Sequence, residues 1–180
     1  RKALAQSCLP AQKSAATTPA RAEAGKSIKS VMGSREQKMH VSQKAVLFNE
    51  KGQILTMRRT KTAPSRPLHW DLPGGDLEVG EDLKADIARE IKEETGLEVR
   101  DLEIIDAIAG FNDRKEFWVT ICYVARPLSQ DVTLSDEHDD SKWIVPDEFL
   151  RLESSSRNRK FVERFKSLPR SCLGRETRQG

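Results

Sequence analysis

The sequence predicts an α/β sandwich, on three observations. Five β-prone runs, at Ala45–Phe48, Ile54–Met57, Val99–Ala107, Phe117–Ala125 and Lys142–Val145, are bounded by polar or turn-forming residues. The stretch from Asp82 to Thr95 lacks Gly and Pro and repeats Leu83, Ile87 and Ile91 every four residues, which marks an amphipathic helix. Phe161, Val162 and Phe165 recur at helical spacing near the end of the chain. Strands around one strong helix, closed by another, bury their apolar faces as layers rather than as a bundle.

In chain order, the first two runs are joined by Asn49-Glu50-Lys51-Gly52, which reads as a hairpin with glycine in the turn. Arg58 and Arg59 close the second run, and Lys61 to Leu68, with Pro64 and Pro67, is a loop. Trp70-Asp71-Leu72-Pro73-Gly74-Gly75 leads into the helix; Pro73 sets the turn and the two glycines let backbone come close to a ligand. Gly80 and Gly96 bracket the helix, with Glu81 at its opening. Gly110 to Lys115 is expected as a loop at a pocket rim, between the third run and the long central one. Asp131 to Ser141 reads as a polar acidic loop, with His138 an exposed loop histidine, and Pro146 to Leu150 as a helical turn.

The 180 residues suit one domain with a real core, and composition (37% hydrophobic, 33% charged) is that of a soluble protein with no apolar run long enough to span a membrane. The net charge of +3 averages unlike parts. Residues 1–38 hold eight Lys/Arg against two Glu and residues 170–180 three Arg against one Glu, so the stretch between them is acidic. A nucleic-acid partner would want a clustered positive face on the folded part, and none is evident. Residues 1–38 are expected as a basic, disordered extension, 39–169 as the domain and 170–180 as a loose tail. Cys8, Cys122 and Cys172 are odd in number and far apart, which suggests neither a disulfide framework nor a zinc site. A cytoplasmic location follows, or an organellar one if the extension is a transit peptide. Cys122 is expected as a buried small residue.

The helix carries acids where they do not favour stability. Glu90, Glu93 and Glu94 fall within an arc of about 100° in its last two turns. There the macrodipole favours cations, and like charges at this spacing repel. A hard divalent cation, Mg²⁺ or Mn²⁺, would relieve this, since such ions take oxygen ligands and can carry substrate phosphates. The alternative is a solvated acidic face.

The residues themselves decide between these. Gly75, Glu81, Arg89-Glu90-Ile91, Glu93-Glu94 and Gly96-Leu97 stand at the spacing G-x5-E-x7-R-E-U-x-E-E-x-G-U, with U aliphatic. This resembles the signature of the Nudix hydrolase family at every defined position. The resemblance covers about 130 residues from Met39 and implies that family's fold, an α/β/α sandwich with a mixed β-sheet. It implies metal positions for Glu90, Glu93, Glu94 and the Gly74 carbonyl, with Glu93 or Glu94 also a candidate general base. Arg89 resembles the arginine that orients a metal-site glutamate, and its helical angle, about 40° from Glu93, is compatible with that. A fourth carboxylate from a late loop falls to Glu137, and Arg59 resembles a phosphate-contacting arginine of MutT-type members.

Beyond the signature, Trp70, Phe111, Asn112 and Trp118 are candidates for a base pocket, since aromatic faces stack on bases and an amide offers paired donor and acceptor. No proline or tyrosine stands where ADP-ribose or dinucleoside polyphosphate hydrolases of the family tend to carry one. The chain therefore looks like a MutT-type nucleotide pyrophosphohydrolase, cleaving the diphosphate linkage of a nucleoside triphosphate or other nucleoside-diphosphate derivative with Mg²⁺. A nucleotide-sensing module without turnover and an RNA-end pyrophosphohydrolase are the alternatives. Either enzymatic reading requires the three glutamates to share a cleft.

Overall fold

The computed structural model describes residues 39–112 and 115–169. The expectations for residues 1–38 and 170–180 lie outside these. Strands β1 (Met39–Leu47), β2 (Ile54–Arg59) and β3 (Trp70–Asp71) precede helix α1 (Leu83–Thr95). There follow β4 (Val99–Phe111), β5 (Phe117–Pro127), β6 (His138–Ile144), α2 (Pro146–Phe149) and α3 (Ser156–Ser167).

The strands form two three-stranded sheets, ordered β1-β5-β4 and β3-β2-β6. The first is mixed: β1 runs parallel to β5 from Met39 opposite Phe117 to Leu47 opposite Ala125, while β4 is antiparallel to β5. In the second, β2 is antiparallel to both neighbours. The expected hairpin is corrected here. Asn49 does organise the turn, its Oδ1 accepting from the N–H groups of Lys51 and Gln53 at 3.0 Å. The strands on either side then separate into different sheets, keeping only the bridge between Phe48 and Ile54. Both strands are buried, so each is free to pair with a partner far along the chain.

Alternation along β1 sends successive side chains to opposite faces. Gln43 reaches Asp86 on α1, whereas Ser42 beside it meets Arg157 on α3, so the two helices cover opposite faces of the first sheet. Against α1 the core is Ala45, Leu47, Leu55, Ile87, Ile91, Leu97, Tyr123 and Ala125. Against α3 it includes Phe161, Val162 and Phe165, the last packed 5.4 Å from Phe48 ring to ring. Cys122 is fully buried between the layers.

Asp82 caps α1, its carboxylate accepting from the N–H groups of Lys84 and Ala85 at 3.0 Å, and Glu81 precedes the cap rather than opening the helix. Gly96 ends it in the left-handed region at φ 71°. Two carbonyls at this end are taken by the following loop, from Thr133 N to Thr95 O at 2.8 Å and from Ser135 N to Glu94 O at 3.1 Å. That ties the acidic loop to the helix terminus.

Two further expectations are corrected. Gly110 and Phe111 finish β4 instead of starting a loop, because β4 continues to pair with β5 as far as Phe111 opposite Phe117. His138 opens β6 and is 5% exposed, having been drawn in by pairing with Arg59.

Candidate active site

The segment Pro73 to Leu77 lies along the free edge of β1. Ala45 N donates to Pro73 O at 2.9 Å, Gln43 N to Gly75 O at 2.8 Å, and Leu77 N to Val41 O at 2.9 Å. This brings the two glycines against α1. Gly74, at φ 127°, has the Gln43 carbonyl only 2.3 Å from where a Cβ would stand. At Gly75 a Cβ would meet Glu90 Oε2 at 2.5 Å, so the bare backbone is what seats that carboxylate.

The result is a cleft of about 820 Å³ with Glu90, Glu93 and Glu94 on its wall. Gly74, Glu137, Arg59 and Asn112 also line it. Trp70 and Phe111 do not. Trp70 is a core residue, 8% exposed, with Lys142 Nζ 4.5 Å from its ring centre, and Phe111 is 63% exposed against the edge of Phe117. Of the four residues considered for a base pocket, Asn112 and Trp118 reach the cleft. The Asn112 amide is already engaged with Glu116, donating to its Oε2 at 2.8 Å and accepting from its N–H at 3.0 Å.

The glutamates differ in setting. Glu94 Oε2 accepts from Gly74 N at 2.7 Å, and burial pushes its carboxyl up to about 7 against the opposing pull of Lys44. Burial also raises Glu90, with Arg89 pulling the other way. Glu93 is the most exposed and accepts from Arg89 Nη1 at 2.9 Å. Arg89 Nη2 lies 3.0 Å from Glu90 Oε1, so one guanidinium serves two of the three acids.

Sequence reasoning missed the support behind this wall. Asp86, with 0% side-chain exposure, accepts from Arg89 Nη2 at 2.5 Å and from Gln43 Nε2 at 2.7 Å, and Gln43 Oε1 accepts from the Tyr123 hydroxyl at 2.8 Å. It also missed Lys44, whose Nζ donates to the carbonyls of Leu72 and Gly74 at 2.8 Å and lies 3.2 Å from Asp71 Oδ1. The only sign in the sequence was the Gln43-Lys44 pair, polar residues directly before a buried apolar run. Asp71 is buried, which pushes its carboxyl up, but Lys44 and hydrogen bonds from Asn158 (2.6 Å) and Leu72 N (2.8 Å) outweigh this and hold it below the usual range.

Oxygen donors from Glu90, Glu93, Glu94 and the Gly74 carbonyl are the set a hard divalent cation prefers. The Gly74 carbonyl already faces a cation, the Lys44 ammonium, and Arg89 pairs with two of the acids. Among the described residues no three acidic, histidine or cysteine side chains stand close enough together, as placed, to chelate an ion. The donors fit in kind, and their convergence would require side-chain rotation. No helix among the described residues is long and apolar enough to cross a membrane.

Comparison with known proteins gives a consistent family. Residues 38–165 match the family model of the NUDIX domain. The chain is 31% identical over 109 residues to a MutT-like protein of Streptomyces ambofaciens, covering 60% of this chain and 65% of the relative. It is 32% identical over 130 residues to an uncharacterized Nudix hydrolase of Listeria innocua, covering 65% and 70% respectively. The chain thus spans about two thirds of the length of these relatives. The crystal structure of the MutT protein from Methanosarcina mazei Go1 superposes with a TM-score of 0.63 at 32% identity, covering 73% of this chain and 95% of that one.

Proposed function

Because the chain belongs to the Nudix hydrolase family, we propose that it is a Mg²⁺-dependent hydrolase of a diphosphate linkage in a nucleoside triphosphate or related nucleotide. The observation that carries this is the placement of Glu90, Glu93 and Glu94 on one wall of a cleft, against a glycine turn with room for no side chain. Glu90, Glu93, Glu94 and the Gly74 carbonyl would hold the ion, which when bound neutralises phosphate oxygens and makes water more acidic. Arg89 holds Glu90 and Glu93 in register, anchored in turn by Asp86. Glu93 or Glu94 accepts the proton of the attacking water at a carboxylate oxygen. Arg59, whose Nε donates to Ser65 O at 2.9 Å, faces the substrate phosphates from the far side of the loop. The substrates inferred are small nucleotides, with RNA-end hydrolysis the alternative.

The test is turnover of canonical and oxidised dNTPs, NTPs, ADP-ribose, NADH, coenzyme A and dinucleoside polyphosphates, with Mg²⁺, Mn²⁺ or EDTA. Metal-dependent hydrolysis of at least one is expected, falling by about 10²-fold or more in Glu93→Gln and Glu94→Gln, the scale of general acid–base work. Activity that survives EDTA would refute the assignment. Tight nucleotide binding without turnover would favour the sensing module instead.

A further inference from the structure

The cleft also contains cations that the hydrolytic reading does not use. Arg157, at the start of α3, is half-buried and leans on two hydroxyls, with Nη1 3.4 Å from Ser42 Oγ and hydrogen-bonded to Thr120 Oγ1. Those hydroxyls are buried and 2.7 Å apart. The guanidinium carbon stands 6.0 Å from the centre of the Trp118 ring, another residue of the cleft. Arg66 enters the same cleft from the Lys61–Leu68 loop, on a backbone at φ 45°, with Leu68 nearby at φ 61°. Residues other than glycine adopt that conformation only at a cost, and such costs gather at functional positions.

Several other arginines are paired with acids, Arg58 with Asp139 at 2.6 Å, Arg59 with Asp71 at 3.6 Å and Arg89 with four acids within 4.0 Å, while Arg159 and Arg164 donate to backbone carbonyls. Among the described residues no carboxylate comes within 4.0 Å of Arg157 or Arg66. Burial first, and then the nearby charge of Arg66, lowers the Arg157 pKa, while Asp71 and Asp76 pull it the other way. Nε and Nη2 of Arg157 meet no protein acceptor among the described residues, and a guanidinium offers five N–H donors in a planar fork. The acids that line the same cleft, among them Asp71 and Asp76, make no ion pair with either guanidinium, so the unused N–H donors of Arg157 and the exposed charge of Arg66 are left to meet an anion with several oxygens.

We propose that Arg157 and Arg66 form an anion subsite for a substrate phosphate that the glutamate wall does not engage, so that the cleft selects nucleotides with three or more phosphates over diphosphate-linked ones. The subsite rests on the hydrolase reading only for the fate of the nucleotide, not for its binding. A phosphate dianion matches the fork through paired charge-assisted hydrogen bonds. The hydroxyls of Ser42 and Thr120 hold Arg157 in place from behind.

The test is calorimetric titration of the full chain with inorganic tripolyphosphate in EDTA, where neither metal nor turnover contributes. Arg157→Met and Arg66→Met are each expected to weaken binding by about tenfold or more, the scale of one charge-assisted hydrogen bond. Arg157→Lys should keep part of the affinity, and the exposed Arg151→Met should keep all of it. With Mg²⁺, the preference for a nucleoside triphosphate over ADP-ribose in kcat/KM should fall in the Met variants by a similar factor. If Arg157→Met unfolds, Arg66→Met decides, since it comes from an exposed loop. Unchanged tripolyphosphate affinity in the folded Met variants overturns the subsite even if hydrolysis is vigorous. Arginine-dependent binding by a protein that hydrolyses nothing keeps the subsite and removes the hydrolase.

Discussion

Asp86 Oδ1 sits 2.5 Å from Arg89 Nη2, and the Asp86 side chain has no exposed surface while Arg89 is 36% exposed. A buried carboxylate thus anchors a surface guanidinium through Nη2, the nitrogen that also reaches Glu90, while Nη1 reaches Glu93. Replacing Asp86 with Ala leaves Gln43 Nε2 without an acceptor inside the protein, and an unsatisfied buried donor costs about 1–3 kcal/mol. A lowered urea midpoint of that order is expected, with nucleotide hydrolysis reduced even at temperatures where the variant is folded. Full activity in Asp86→Ala would show that Arg89 needs no anchor.

Arg89→Lys is expected to behave almost as Arg89→Ala in turnover assays. One ammonium cannot span Asp86, Glu90 and Glu93 as the planar fork does. Wild-type rates in Arg89→Lys would mean that charge alone suffices at this position.

The two glycines of the turn should separate stability from activity. In Gly75→Ala the new Cβ meets the end of the Glu90 side chain, which can swing aside, so melting changes little while metal-dependent hydrolysis drops. In Gly74→Ala the obstacle is the Gln43 backbone carbonyl at 2.3 Å, under a φ of 127°. That variant should lose about 1–3 kcal/mol, the usual cost of overpacking. Thermal melts and steady-state assays on the pair test the distinction.

Lys44→Met keeps the length of the stem and removes the ammonium from the carbonyls of Leu72 and Gly74. A stability loss of about 1–3 kcal/mol is expected from the unpaired carbonyls. Denaturation in urea provides the measurement, and a stabilised variant would contradict the role assigned to Lys44.

Asp71 links the same cluster to pH. Its folded pKa lies below the unfolded value of about 3.9. The sign follows from linkage: the stabilisation is complete above the unfolded value and is lost as pH falls through the folded one. Acid unfolding of the wild type should therefore be steeper below about pH 4 than that of Asp71→Asn, which has no such proton to take up. Parallel acid titrations followed by circular dichroism would settle it, and identical slopes would remove Asp71 as a contributor.

Much of the architecture could be read before any coordinates, because the period of apolar residues reports the local element directly. Leu83, Ile87 and Ile91 marked α1 to within one residue of its observed start. The partners of β1 and β2 were not legible. Strand pairing depends on residues far apart in the chain, and the turn at Asn49 looks the same whether the strands it joins share a sheet or part company. Trp70 shows the same limit, since aromatic character does not say whether a ring packs in the core or faces a ligand.

By itself the sequence determined the helix, its bracketing glycines and the spacing of three glutamates on it, since those are consequences of 3.6 residues per turn acting on neighbours. Only the tertiary structure decided what surrounds them: Lys44 against the Gly74 carbonyl, Asp86 beneath Arg89, and Arg157 and Arg66 lining one cleft. Those relationships join β1, α1, a loop and α3. They arise from the packing of layers, which no local period encodes.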